Sequence, residues 1–336
     1  MNEAFNADTE DSRRLLLVQA EAALTAALEQ YDLHEENLIF LQVSEHVTYK
    51  IEDGAASSYL LRIHPGSASS REISSELEWL DDLSANHGLT VPTGVANLEG
   101  SYVTEVETER GQSWKVSVLR WIEGEHWEGN FNESLVRKMG VLLARMHEAA
   151  QTFHPSEGFI RPTWGIERFE QEVDRLQKHY RCFLTAEEFG LYEQAASKIT
   201  AHMSGMPRDG HRFGMIHADF HQGNLVFKDG ESFPIDFGRC GYGYYAYDLA
   251  QAFIGLYPAQ RQMFLDGYES LLPLPSDSDA VHSLETFFIK SLIENQSFHA
   301  PHPWEAAELR ESKPYSLSLI RHYLDGKPFL FNAIPV

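Results

Sequence analysis

Residues 215–248 read MIHADFHQGNLVFKDGESFPIDFGRCGYGYYAYD. A short apolar run, Met215-Ile216, leads into the loop His217-Ala218-Asp219-Phe220-His221-Gln222-Gly223-Asn224. Leu225-Val226-Phe227 has the composition of a strand, Asp229-Gly230 is a hairpin-turn pair, and Phe233-Pro234-Ile235 is the returning strand. Asp236-Phe237-Gly238 follows without a gap. Such a hairpin brings Asp219, Asn224 and Asp236 to one end of a small sheet. Two carboxylates and an amide oxygen are hard donors, suited to Mg²⁺ and a phosphorylated substrate.

The order H-x-D-x-x-x-x-N, then D-F-G, is the catalytic-loop and metal-loop pattern of kinases. The first Asp of that pattern, here Asp219, accepts the proton of an attacking hydroxyl. Asn224 and Asp236 are the corresponding metal ligands. A chance surface hairpin rich in acids has no reason to set all of these positions at kinase spacing. His217 and His221 also have the spacing of zinc ligands on a helix, but here they sit in a loop without a third ligand nearby. Gly241 to Ala246 (GYGYYA) matches a dinucleotide fingerprint, yet no second strand with an acidic end follows, so the match is discounted. Asp248 is expected to bond the backbone of the catalytic loop from a helix start.

With 336 residues and 43% apolar content the chain has ample material for a core. Its net charge of −23 argues against nucleic acid or an anionic membrane surface as a partner. The same charge fits a cationic acceptor, and equally a plain acidic soluble protein. The two cysteines, Cys182 and Cys240, form no C-x-x-C pair or disulfide framework, which suits a reducing compartment. The polar, acidic start has no secretory h-region, and no apolar run reaches the length of a membrane span. A cytoplasmic location is expected.

Upstream, residues 12–31 carry a helical apolar face of Leu17, Ala20, Leu24, Ala27, Leu28 and Tyr31. Strands are expected at 38–43, 47–51 and 59–64, a helix at 71–87, and strands at 101–106 and 114–119. From residue 125 onward the pattern is helical apart from the hairpin, with Thr185 reading as a helix N-cap. His299-Ala300-Pro301-His302-Pro303 reads as a break between helices.

The chain resembles the aminoglycoside phosphotransferase superfamily, which takes in antibiotic kinases, choline kinases, type II homoserine kinases and bacterial stress-response Ser/Thr kinases. The likeness runs over roughly residues 35–330 and rests on HADFHQGN, PIDFG, YLLRIHPG, SELEWL, LRWIEGE and YDLA. The nearest flavour is the stress-response and homoserine-kinase branch. The resemblance implies an α+β, two-lobed protein-kinase-like fold, with an antiparallel-sheet N-lobe and a mainly helical C-lobe. It implies an N-lobe over 1–119 (an N-terminal helix, a five-stranded sheet and one helix), a hinge at 120–124, and a C-lobe over 125–336. It also implies ATP and Mg²⁺ as cofactors.

Carried over residue by residue, Asp219 is the catalytic base and Asn224 and Asp236 are the metal ligands. His221 occupies the place of a phosphate-touching Lys, either donating a hydrogen bond or orienting the loop. Arg62 stands where a kinase strand ends in Lys, with Glu76 as its helix carboxylate and Glu72 as the alternative. Arg is forked and permanently charged, so it can hold phosphate, but not with the geometry of Lys. There is no glycine-rich loop between the first two strands, only Gln42 to Thr48, where backbone N–H groups and the Ser44 or Thr48 hydroxyl are left to cover phosphates. The backbones of Arg120 and Ile122 are the expected adenine contacts. The function implied is transfer of the γ-phosphoryl group of ATP to a small-molecule hydroxyl: an amino alcohol, a sugar or an aminoglycoside-like acceptor. Glu123, Glu125, Glu128 and Glu294 are candidate partners for an amine on it. A protein Ser/Thr kinase and a catalytically weak nucleotide-binding regulator are the alternatives.

Overall fold

The computed structural model describes residues 10–33, 35–43, 46–54, 57–107, 113–127, 129–275 and 280–334. Ser44 and Glu128 lie outside them. The chain divides into two units, one of Met1–Gly124 with His154–Arg161 and one of Glu125–Phe153 with Pro162–Val336.

The first unit is a helix on a sheet. Helix α1 (Glu10–Leu28) is followed by strands β1 (Glu35–Val43), β2 (Val47–Asp53) and β3 (Ser57–His64). Helix α2 (Ser70–Ala85) comes next, then β4 (Gly94–Val95), β5 (Thr104–Glu107) and β6 (Ser113–Arg120). All pairings are antiparallel, in the order β1-β2-β3-β6-β4, with β5 also paired to β6. Among the described residues the sheet therefore has six strands rather than the expected five. The extra one, β4, has two residues, too few to show an alternating pattern.

Leu16, Ala20, Ala23, Leu24, Ala27 and Tyr31 pack on Val47, Tyr49, Ile51, Leu61, Ile63, Val116 and Val118 to form the core of this unit. Leu17 and Leu28, expected on or near the same face, are partly buried and pack against that core. Along β3 the side chains alternate, so Leu61 and Ile63 enter that core while Arg62 and His64 turn to the opposite face. That alternation makes one face of the sheet apolar and the other polar. Residues 154–161 belong to this unit through α2. Ser156 donates to Glu78 through its N–H and its hydroxyl, at 2.6 and 2.7 Å, and the Ile160 N–H donates to Ser75 Oγ at 2.9 Å.

The second unit is helical around two small sheets. It contains α3 (Glu133–Thr152), α4 (Ile166–His179) and α5 (Ala186–Gly205), then β7 (Phe213–Ile216), β8 (Leu225–Lys228), β9 (Glu231–Pro234) and β10 (Gly241–Tyr244). Helices α6 (Tyr245–Phe253), α7 (Pro258–Glu269), α8 (Ala280–His299) and α9 (Ala306–Asp325) complete it. Thr185 closes a capping box, its hydroxyl accepting from the Glu188 N–H while Glu188 accepts from the Thr185 N–H. Helices α3 and α7 approach closely at two glycines. A Cβ on Gly140 would meet the Phe264 carbonyl at 2.0 Å, and one on Gly267 the Arg137 carbonyl at 2.1 Å.

Strands β8 and β9 form the hairpin, joined by Asp229 and Gly230 at φ of 53° and 75°. Positive φ at both turn residues matches the right-handed twist of a two-residue hairpin. Strand β10 pairs with β7, Tyr242 opposite Met215. The glycines after Asp236 thus let the chain run tightly as a strand before α6. Its Gly241 has Pro162 O where a Cβ would stand, at 2.3 Å.

Candidate active site

In the first unit the polar face of the sheet gathers charge. The Arg62 NH1 group donates to Glu76 Oε1 at 2.7 Å, and both side chains are buried. Arg161, from the 154–161 segment, brings a second guanidinium to within 3.9 Å of the other Glu76 oxygen and donates to the Glu72 carbonyl at 3.1 Å. Burial alone would raise the Glu76 carboxyl, but Arg62 and then Arg161 outweigh it and hold it below the usual carboxylate range. Arg62 keeps two buried N–H groups, at Nε and NH2, without hydrogen-bond partners. Unpaired buried guanidinium donors are costly unless an anion meets them. They leave Arg62 and Glu76 as a charged cradle whose open donors could take an oxyanion.

His46 and His64 meet edge to face at 4.5 Å beside that cradle, and His64 Nε2 bonds the Ser117 hydroxyl at 2.8 Å. Burial, reinforced by Arg62, pushes His46 down to about 3. Burial, with His46 and Arg62 adding to it, also carries His64 well below its ordinary value. Both rings stay neutral and so add no further positive charge beside the guanidiniums.

Lys50, on β2, bonds Glu52 at 2.9 Å and lies over the Trp121 ring. The Thr48 hydroxyl bonds the Gln42 carbonyl. The Arg120 N–H donates to Thr93 O at 2.8 Å and that of Trp121 to Ser58 O at 3.0 Å. Those bonds fix the strand end that carries Arg120 and Ile122.

In the second unit the loop between β7 and β8 is held from below. Asp248, fully buried on α6, accepts from the His217 and Ala218 N–H groups, both at 2.7 Å. His147 of α3 stands 3.2 Å from the same carboxylate, bonds Tyr268 through Nδ1 and stacks on Tyr245. Burial holds His147 below its ordinary value against the pull of Asp248. The His217 Nε2–H donates to the Ile235 carbonyl at 3.0 Å, tying the loop to the returning strand. Ala218 is thereby kept at φ 63°, a backbone conformation non-glycine residues rarely adopt.

These supports aim the chemistry. Asn224 Nδ2 donates to the Asp219 carbonyl and to Asp219 Oδ2, each at 3.0 Å, so the amide is held by its nitrogen and Oδ1 is its acceptor atom. The Ile235 N–H donates to the Asn224 carbonyl at 2.9 Å, so Asp236 begins beside Asn224 across the hairpin base. Asp236 is exposed and itself left-handed at φ 59°. His221 accepts from the Gly223 N–H through Nδ1, so its proton sits on Nε2, 3.8 Å from Asp219 Oδ2. Burial keeps that ring below its ordinary pKa, with Asp219 opposing.

Arg239, directly after the D-F-G triplet, places its guanidinium 3.8 Å from Asp219 Oδ1 and 4.5 Å from the centre of the Trp164 ring. Trp164 donates to the Arg239 carbonyl at 3.0 Å, and Arg168 also lies over its ring. Arg161, Arg239, Trp164 and His147 were not singled out in the sequence. The D-F-G-R order was a readable signal for Arg239; the others are brought in by long-range packing. Among the acids considered for an amine, Glu294 is buried and occupied, bound by Lys290 at 2.6 Å and by the Tyr247 hydroxyl at 2.8 Å. Glu125 pairs its backbone with Phe227 and leaves its side chain exposed. Glu123 is exposed in the first unit.

The chain matches known proteins along most of its length. The sequence profile of the phosphotransferase enzyme family fits residues 39–278. The amicoumacin kinase of Bacillus subtilis (strain 168) is 26% identical over 234 residues, 68% of this chain and 66% of that protein. The match thus spans just under two thirds of that relative's own length. Two solved structures superpose over nearly the whole chain. The microcompartment-associated aminopropanol kinase has a TM-score of 0.76 at 26% identity, covering 92% of this chain and 98% of the other. An amicoumacin kinase in complex with AMP-PNP and Ca²⁺ has a TM-score of 0.75 at 21% identity, covering 94% and 98%. The fold is the protein-kinase-like α+β fold, and the chain belongs to the phosphotransferase enzyme family.

Proposed function

We propose that this protein moves the γ-phosphoryl group of ATP to a hydroxyl of a small, amine-bearing alcohol. The observation that carries the reading is the catalytic loop itself: Asp219 bound by Asn224, over a backbone clamped by Asp248. Asp219 aligns the acceptor hydroxyl and takes its proton as the new O–P bond forms and ADP leaves. Asn224 and Asp236 offer only hard oxygen donors, which fits a divalent ion such as Mg²⁺. When bound, that ion neutralises charge on the transferring phosphoryl oxygens. The Arg62 donors, unpaired and buried beside Glu76, fit the α- and β-phosphates. His221, its proton on Nε2, orients the loop next to Asp219.

The acceptor class is drawn from the kinases of similar sequence and structure, which are named for aminopropanol and amicoumacin. The test is an ADP-release screen over amino alcohols, sugars, aminoglycosides, amicoumacin-like amides and a generic protein substrate, each with and without Mg²⁺. Stimulation by an amino alcohol or amide supports the reading. Stimulation by the protein alone would replace it with a protein kinase, and ATP binding without transfer to anything with a regulator.

A further inference from the structure

The break between α8 and α9 is more than a connection. The His302 N–H donates to the His299 carbonyl at 2.9 Å and the Glu305 N–H to the His302 carbonyl at 3.0 Å. Two successive tight turns of this kind stack every third side chain on one side. His299, His302 and Glu305 consequently converge, and one ligand atom from each lies within 4.8 Å of the others. His299 Nδ1 bonds Glu305 Oε2 at 2.5 Å, and His302 Nδ1 stands 3.3 Å from the same oxygen.

That His302 nitrogen is buried and has no hydrogen-bond partner. Glu305 Oε2 thus faces two imidazoles at once, bonded to His299 Nδ1 and within ion-pair distance of His302 Nδ1. The ring is also fixed from behind, stacked on Trp304 at 5.2 Å with Phe298 against its edge at 5.8 Å. All three side chains are about one-third exposed, at 35%, 33% and 28%, so solvent can reach the cluster.

We propose that His299, His302 and Glu305 form a zinc site, completed by a water and separate from the phosphoryl-transfer residues. Two imidazoles and one carboxylate with an open position are a donor set zinc favours. Tetrahedral zinc with bonds of about 2.0–2.2 Å separates its ligand atoms by roughly 3.3–3.5 Å. The His302–Glu305 pair is already at that spacing, at 3.3 Å. The His299–Glu305 pair is bridged by a proton that the metal displaces, and its 2.5 Å gap widens as the proton leaves. Bound there, zinc joins the last residue of α8 to the residue that opens α9.

The test is titration of the full chain, freed of metal by chelation, with Zn²⁺ against a chromophoric competitor. The expected result is one zinc per chain with micromolar or tighter affinity, weakened about tenfold or more in both His302→Ala and His299→Ala. Co²⁺ in place of zinc should give the intense visible bands of a four-coordinate ion, and His302→Ala should abolish them. ATP affinity and ADP release should be unchanged in His302→Ala, so failure here leaves the kinase reading untouched. Absence of stoichiometric uptake, or uptake unchanged in both variants, would reduce the cluster to an ion pair. Loss of uptake in His221→Ala but not in His302→Ala would move the metal elsewhere and overturn the proposal.

Discussion

Arg62, Glu76 and Arg161 show how single side chains set the character of a face. One buried carboxylate is shared by two guanidiniums, which leaves a surplus of positive charge on that face. Removing the carboxylate leaves the buried Arg62 guanidinium without its ion-pair partner. Glu76→Ala should therefore lower the unfolding free energy by about 3–5 kcal/mol, read from urea denaturation; a change near zero would mean that the pair is solvated. The Arg62–Glu76 pairing was legible because a strand ending in a basic residue and an amphipathic helix with an inward acid follow each other closely in the chain. Arg161 was not, since it lies far along the sequence in a segment without periodicity, which hydrogen bonds from Ile160 and Arg161 tie to α2.

At the scale of elements, local signals were read well and long-range pairing poorly. Thr185 and Glu188 announce a helix start by themselves, and the capping box is present. Thr185→Ala should cost about 1 kcal/mol in urea stability, since one N–H of the first turn loses its acceptor. The hairpin around Asp229-Gly230 was equally plain, because turn chemistry is carried by the two residues that need positive φ. Strand β10 was missed: Gly-Tyr-Gly-Tyr has weak strand composition, and its partner β7 lies on the far side of the hairpin. The α3–α7 contact was also invisible, because a glycine inside a helix pattern does not say what approaches it. Gly140→Ala drives a methyl into the Phe264 carbonyl, so the two helices must separate. A loss of about 1–3 kcal/mol or more is expected, larger than for Thr185→Ala. Equal effects in the two variants would show that the helices yield freely.

For the whole molecule, histidines held neutral in the folded chain make stability depend on pH in a window set apart from the carboxylates. His46 is held at about 3, and His64 and His147 also lie below their ordinary values. In the unfolded chain each takes up a proton near pH 6.5, about its free value. Their contribution is complete above that pH and is lost as pH falls below it, since the unfolded state then binds more protons. Each such group adds a slope of up to about 1.4 kcal/mol per pH unit. Urea stability should be level from pH 8 to about 6.5 and then fall steeply toward pH 5, before Glu76, whose pKa is also depressed, begins to matter. A level curve down to pH 5 would contradict the buried, neutral state of these rings. The acceptor, by contrast, is written in no short motif of the sequence. As the proposed base for phosphoryl transfer rather than a structural acid, Asp219 should be needed for turnover and not for nucleotide binding. The direct measurement compares wild type with Asp219→Asn, reading Mg·ATP affinity and acceptor-dependent ADP release on the same preparations. The account predicts that nucleotide affinity survives while turnover falls by about 10²–10⁴-fold. Turnover in Asp219→Asn close to that of wild type would contradict it.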